Sequence, residues 1–232
     1  MADLQSDTQP NKLGCDPDFQ RFSKMINAII FDFDGTLIDS VDSVYKEYLR
    51  VSRIMNLRKV YFEEFGKHLG KPWNILLEEL WPGVDIKKFK KQYRTDAEQA
   101  LPIYGVHKTL EKLKEHYKLG IVTSRGKKTL YRHLKTADID KKIFDIILYR
   151  ENLKKHKPNP EALLVASRKM RLLSDEIIYV GDSIIDAQCA LSANIRFIGV
   201  LTGGASKKEF KKLGVKYIVK SVRDITKIIK KF

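Results

Sequence analysis

Residues 25–37, MINAIIFDFDGTL, decide the fold. Met25 to Phe33 is a short apolar run that ends in Asp and Gly, the pattern of a buried strand breaking into a sharp turn. Four more runs of the same kind follow at intervals: Lys118 to Thr123 (KLGIVT), Phe144 to Leu148 (FDIIL), Glu176 to Val180 (EIIYV) and Ile195 to Leu201, with a last short one at Lys216–Val219. Between them lie amphipathic helical patterns at Val106–Tyr117, Lys127–Thr136, Pro158–Met170, Ile184–Ala193, Lys207–Leu213 and Val222–Ile229. Strands that are short, rich in Ile and Val, and separated by helices predict an α/β fold with a Rossmann-like parallel sheet covered on both faces. From near Ile38 to about Leu101 the pattern stays helical and nothing resembles a strand. That stretch is too long for one crossover, and it predicts an all-helical cap over residues 39–102, inserted into a core of residues 25–38 and 103–232.

Composition narrows the function classes. No apolar run approaches the roughly 20 residues of a membrane span, so the chain is expected to have no membrane partner. Residues 1–24 are polar, carry Asp3, Asp7, Asp16 and Asp18, and lack the apolar centre of a signal peptide. They are expected to form a flexible extension, and the protein to be cytoplasmic. The two cysteines, Cys15 and Cys189, have no metal-ligand spacing, and Cys189 sits in an apolar helical stretch as a small buried hydrophobe. The net charge of +15 comes from lysines scattered along the whole chain and interleaved with acids. No aromatic pattern accompanies them, which argues against a nucleic-acid partner and for a solvated basic surface.

In open parallel sheets ligands bind beyond the carboxyl ends of the strands. Asp32, Asp34, Gly35 and Thr36 follow the first apolar run, Thr123, Ser124 and Arg125 the second, Lys157 the third, and Gly181, Asp182, Ser183 and Asp186 the fourth. Acids, hydroxyls and a lysine should therefore converge on one sheet edge. Converging carboxylates repel unless a cation joins them, and a set of hard oxygen donors suits Mg²⁺. A lysine and hydroxyls beside such an ion suit a phosphoryl group. Of the pair Asp32 and Asp34, one carboxylate can attack phosphorus while the other handles the proton of the leaving oxygen. Gly35 permits close approach of backbone N–H groups to an anion.

The ordered set FDFDGTL (31–37), VTS (122–124), KPNPE (157–161) and GDSIIDA (181–187) resembles the four motifs of the haloacid dehalogenase superfamily. The resemblance covers residues 25–232, and the run Pro102 to Val106 is similar to the return from cap to core in its phosphoglycolate phosphatase-like members. It implies that Asp32 is the nucleophile, that Asp34 is the general acid and base, and that Lys157 neutralises charge. It also implies phosphate binding by Thr123, Ser124, Gly35 and Thr36, Mg²⁺ binding by Asp32, Asp34 and Asp182, and support of the metal site by Asp186. Neighbouring carboxylates are expected to raise the pKa of Asp34. An acid at position 34 fits phosphate-ester hydrolysis, where the family's dehalogenases carry an aromatic residue. Arg125 departs from the pattern; it either contacts phosphate or caps the next helix.

The expected activity is Mg²⁺-dependent hydrolysis of a small phosphorylated metabolite, phosphoglycolate first, by a monomer or homodimer. Two other readings stand beside it: a phosphomutase of the β-phosphoglucomutase type, and a non-catalytic basic binding protein. In the cap, Lys71 and Trp73 of the KHLGKPW run (67–73) are candidates to cover the substrate, with packing and solvation as the competing reading. His156, just before Lys157, could line the site but reads as an exposed loop residue, and Thr202-Gly203-Gly204 reads as a flexible turn far from the acids in sequence.

Overall fold

A computed structural model describes residues 25–94 and 100–232; the extension predicted for residues 1–24, with Cys15, lies outside them. The first strand, β1 (Ala28–Phe31), is fully buried. Its side chains alternate as a strand covered on both faces requires. Ile29 and Phe31 enter one apolar cluster, Ala28 and Ile30 the other.

The chain then runs through β2 (Ile38–Asp39) and the helices α1 (Val41–Ile54), α2 (Phe62–Gly66), α3 (Trp73–Leu80) and α4 (Ile86–Gln92). It returns through β3 (Leu101–Pro102) to α5 (Val106–Lys114), β4 (Lys118–Val122), α6 (Lys127–Thr136) and β5 (Ile146–Leu148). The last part is α7 (Glu161–Met170), β6 (Ile177–Gly181), α8 (Ile184–Ser192), β7 (Arg196–Val200), α9 (Lys207–Lys212), β8 (Tyr217–Val219) and α10 (Ile225–Ile228). The main sheet has the order β5-β4-β1-β6-β7-β8 with every pairing parallel. Numbered within the sheet alone, this is the doubly wound order 3-2-1-4-5-6, whose crevice opens beside the first strand.

Leu110 and Leu113 of α5 and Leu130 and Leu134 of α6 cover one face, joined by Ile225 of α10. Leu163 and Met170 of α7, Ala187 and Ala190 of α8 and Phe210 of α9 cover the other. The helices α1–α4 pack around their own cluster, which includes Tyr48, Phe65, Leu77, Trp81 and Phe89.

One expectation fails here. Within the stretch read as wholly helical, Ile38–Asp39 pairs antiparallel with Leu101–Pro102, and the first helix starts only at Val41. Two residues are too few to show a period of two, and the partner strand lies some 60 residues away, so no local pattern could reveal the ribbon. It brings the entry and exit of the helical insertion together. Among the described residues, no helix is long and apolar enough to cross a membrane.

Candidate active site

The register of the central strands assembles the site. Phe31 pairs with Ile121 of β4 and with Val180 of β6, so the three strands end side by side. Asp32, Thr123 and Asp182 come one or two residues later, on the same edge. Asp32 keeps sheet geometry through its N–H, which donates to Val180 O at 2.8 Å.

At the centre Lys157, only 3% exposed, donates to Asp32 Oδ1 and to Asp186 Oδ1, each at 2.7 Å, and to the Tyr179 hydroxyl at 3.1 Å. Asp186 is fully committed. Its other oxygen accepts from Ser183 N at 3.1 Å and Ser183 Oγ at 2.5 Å, and Tyr179 donates to Oδ1 at 2.8 Å. Ser183 in turn caps α8 by accepting from Asp186 N, a reciprocal capping box that fixes the acid at the helix start. Asp186 therefore orients Lys157, and the ammonium neutralises Asp32. Asp182 accepts from Thr36 Oγ1 at 2.9 Å and from Gly204 N at 3.0 Å.

Burial pushes the Asp32 carboxyl well above its ordinary range; Lys157 pulls it down, and Asp186 and Asp182 push it further up. Burial, then Asp186, pushes Asp182 up to about 7. Burial alone would lower Lys157, but Asp186 and Asp32 outweigh it and keep the ammonium charged. Carboxylate oxygens of Asp32, Asp182 and Asp186 lie within 4.8 Å of one another. Buried carboxylates that resist ionising together, all hard oxygen donors, fit a divalent cation. Asp186 is the poorest ligand of the three, because its two oxygens take four hydrogen bonds, from Lys157, Tyr179 and twice from Ser183, against two on Asp182.

Asp34 overturns an expectation. Arg125 Nε donates to Asp34 Oδ2 at 2.7 Å and Arg125 Nη2 to Oδ1 at 2.5 Å, and Ser40 also donates to Oδ1. Burial would raise this carboxyl, but Arg125 and Ser40 overcome it and hold Asp34 below its ordinary range, where a raised pKa was expected. Arg125 neither caps the next helix, whose N-cap is Gly126, nor faces solvent.

The phosphate-binding set divides. Thr123 and Ser124 line a cavity of about 570 Å³ above the site; Gly35 and Thr36 do not. Thr36 is fully buried with its hydroxyl spent on Asp182. Gly35 has φ +74°, and a Cβ there would stand 2.5 Å from Asp182 Oδ2, so its glycine is needed to let the turn pass that acid. Both residues position Asp182. Ser124 donates to Gly70 O of the helical insertion at 2.7 Å. Lys71 and Trp73 line the cavity, Lys71 paired to Glu79 and Trp73 packed against Tyr93 at 4.6 Å between ring centroids.

His156 also lines the cavity, and Thr202-Gly203-Gly204 belongs to the site, both against expectation. Thr202 Oγ1 donates to Gly35 O at 2.6 Å, and a Cβ on Gly203 would fall 1.8 Å from Asp182 Oδ2. This turn follows β7, which pairs with β6, so the sheet order carries it to Asp182 across 20 residues of sequence. Ser40 and Tyr179 were missed too. The capping-box spacing Ser183-x-x-Asp186 was a legible signal for Ser183; for the others there was none.

A doubly wound sheet that gathers Asp32, Lys157 and Asp182 under a helical insertion defines a phosphoryl-handling hydrolase. A family model described as Haloacid dehalogenase-like hydrolase matches residues 29–200, and the chain belongs to this family, among its phosphatases. It is 30% identical to a protein of Caldanaerobacter subterraneus named as a candidate pyrophosphatase, over 88% of this chain and 95% of that one. It is 27% identical to a phosphorylated carbohydrates phosphatase of Thermotoga maritima, over 84% and 94%. Among solved structures, one from Haemophilus somnus, assigned by prediction as a phosphoglycolate phosphatase, superposes with a TM-score of 0.76 at 25% identity, covering 88% of this chain and 97% of that one.

Proposed function

We propose that the protein hydrolyses a phosphomonoester through a phospho-aspartate on Asp32, with Mg²⁺. The observation that carries this reading is Asp32 at the end of the central strand, 2.7 Å from the buried Lys157 and opening into the cavity. Asp32 and Asp182 would hold the ion, with the backbone carbonyl of Asp34 as a third ligand. When bound, it would neutralise the carboxylates and the phosphoryl oxygens.

The chain's own groups supply the rest. The Asp32 carboxylate attacks phosphorus, and the leaving alcohol departs from the opposite side. Lys157 lowers the repulsion between nucleophile and phosphate without moving, because Asp186 and Tyr179 fix it. Thr123 is placed to contact the transferring oxygens. Asp34 protonates the leaving oxygen and then takes a proton from the water that cleaves the acyl phosphate. In the ion pair with Arg125, Asp34 is poised as the base. The acid form follows when a bound phosphate dianion draws Arg125 away and Asp34, its pKa no longer held down, takes up a proton from water. The helices α1–α4 serve as a cap that excludes bulk water. Phosphoglycolate, pyrophosphate and sugar phosphates are the starting substrates, supported by the names of the relatives.

The test is phosphate release from these compounds and from simple alkyl and arylalkyl phosphates, with and without Mg²⁺. Metal-dependent release that Asp32→Asn abolishes supports the reading. No release from any ester by folded protein overturns it in favour of a mutase or a binding role.

A further inference from the structure

The cavity wall contributed by the helical insertion is largely apolar, interrupted by Lys71, Asn74 and Lys90. Tyr48, Phe65, Leu69, Trp73, Ile75 and Tyr93 line it. Tyr48 and Phe65 are each only 1% exposed, so their positions are fixed by the insertion's core. Trp73 packs edge-on against Tyr93 at 4.6 Å and Tyr48 at 5.8 Å between ring centroids, so the half-buried indole is held in the cavity wall by the rings behind it.

The size of this space does not come from a lifted insertion. The loop 66–71 already rests on the core. Gly70 O accepts from Ser124, a Cβ on Gly70 would stand 3.3 Å from Ser183 Oγ, and one on Gly204 would stand 3.0 Å from Gly66 O. With that seam made, about 570 Å³ remains. This is room for roughly twenty waters at about 30 Å³ each, and within the range of roughly 300–1,000 Å³ that houses drug-sized ligands. A phosphoryl group with a two-carbon acid, or a second phosphate, would leave most of it unfilled.

The charges point the same way. Among the described residues, four of the five lysines and arginines that line the cavity already face an acid: Lys157 with Asp32 and Asp186, Arg125 with Asp34, Lys71 with Glu79 and Arg150 with Glu151; the fifth, the exposed Lys90, lies over the Trp73 ring at 5.9 Å. A second anionic group on the substrate would have to displace one of those acids, reach the exposed Lys90 or lie against hydrocarbon, and desolvating a charge against hydrocarbon is costly. An uncharged ring meets no such penalty and gains contact with the apolar wall.

We infer that the substrate is a phosphomonoester whose alcohol part carries a planar apolar or aromatic ring, seated against Trp73 and Tyr93, and that small diacids and pyrophosphate are poor substrates. This rests on the phosphatase reading and deepens it.

The experiment compares kcat/KM, with Mg²⁺, for benzyl and 2-phenylethyl phosphate against ethyl phosphate, phosphoglycolate and pyrophosphate. The first three release alkanols of similar basicity, so ring reactivity does not bias the comparison. The ring esters should be favoured about 10–100-fold over ethyl phosphate, and Trp73→Ala should bring that ratio towards one. Ethyl phosphate, phosphoglycolate or pyrophosphate turned over as well as the ring esters by the native protein would overturn the inference and leave the phosphatase reading intact. Silence on every ester would instead remove the phosphatase reading. The native ratio decides without any variant, so a Trp73→Ala chain that fails to fold does not obscure the outcome.

Discussion

The floor and the roof of the cavity are built on opposite principles. The floor is polar, and its acids are tied by hydrogen bonds of 2.7–3.0 Å: Lys157 to Asp32 and Asp186, and Thr36 and Gly204 to Asp182. The side chains there hang from strand ends, a helix start and the turns between them. The roof is a cluster of packed rings, Tyr48, Trp73 and Tyr93 among them. The contrast teaches a division of labour. In the proposed reaction the floor would recognise the phosphoryl group, which is the same in every substrate and needs fixed charges. The roof would recognise what the phosphoryl group is attached to, for which shape and hydrophobicity suffice.

Removing the nucleophile attacks the floor most directly. Asp32→Asn should lower phosphate release by at least about 10⁴-fold while circular dichroism shows an unchanged fold, since an amide cannot form the acyl phosphate. A residual rate within about tenfold of native would place the nucleophile elsewhere.

The next effect tests whether the floor tolerates displacement. In Gly203→Ala the new methyl overlaps Asp182, so the acid must move. The Mg²⁺ concentration for half-maximal activity should rise about 10–100-fold, the usual effect of disturbing the groups behind a metal ligand. An unchanged requirement would mean that Asp182 does not hold the ion.

The roof can be tested through stability instead. Glu47 in α1 is 4% exposed, accepts from Arg50 Nε at 2.8 Å and from Arg94 N at 2.8 Å, and these hydrogen bonds outweigh its burial and hold its pKa at about 2. A folded value below the unfolded 4.5 means the contribution is complete above pH 4.5 and is lost as pH falls through about 2. The difference of about 2.5 units corresponds to about 3 kcal/mol. Glu47→Gln should therefore destabilise the insertion by up to about 3 kcal/mol at pH 7, and by progressively less below pH 4.5. Both tryptophans of the chain, Trp73 and Trp81, lie in the insertion, so tryptophan fluorescence in urea follows this part selectively. A pH-independent difference would show that the ion pairs contribute nothing.

The smallest effect separates roof from seam. Gly66→Ala adds a methyl 3.3 Å from Gly204 O, a tight contact that must yield by a few tenths of an ångström. The same change favours the helix α2 by up to about 1 kcal/mol. The expected result is kcat/KM reduced about two- to fivefold with the fluorescence-monitored stability equal or higher. Loss of both together would mean that Gly66 serves the roof's fold rather than its seating on the core.

The doubly wound sheet was legible in the sequence because each strand announced itself locally, as a short apolar run rich in Ile and Val between helical patterns. The gathering of Asp32, Thr123, Lys157 and Asp182 was legible for the same reason, since parallel strands in register must end together. Tertiary structure alone decided the rest. It paired Arg125 with Asp34, reversing the expected shift of that carboxyl, because two residues 91 positions apart became neighbours only when β1 and β4 lay side by side. It carried Gly203 and Gly204 to Asp182 through the pairing of β6 with β7, and closed the β2–β3 ribbon across the whole insertion. It also turned a set of cap aromatics into a wall, which no local pattern encodes, because which edge of a packed ring faces a cavity depends on every helix around it.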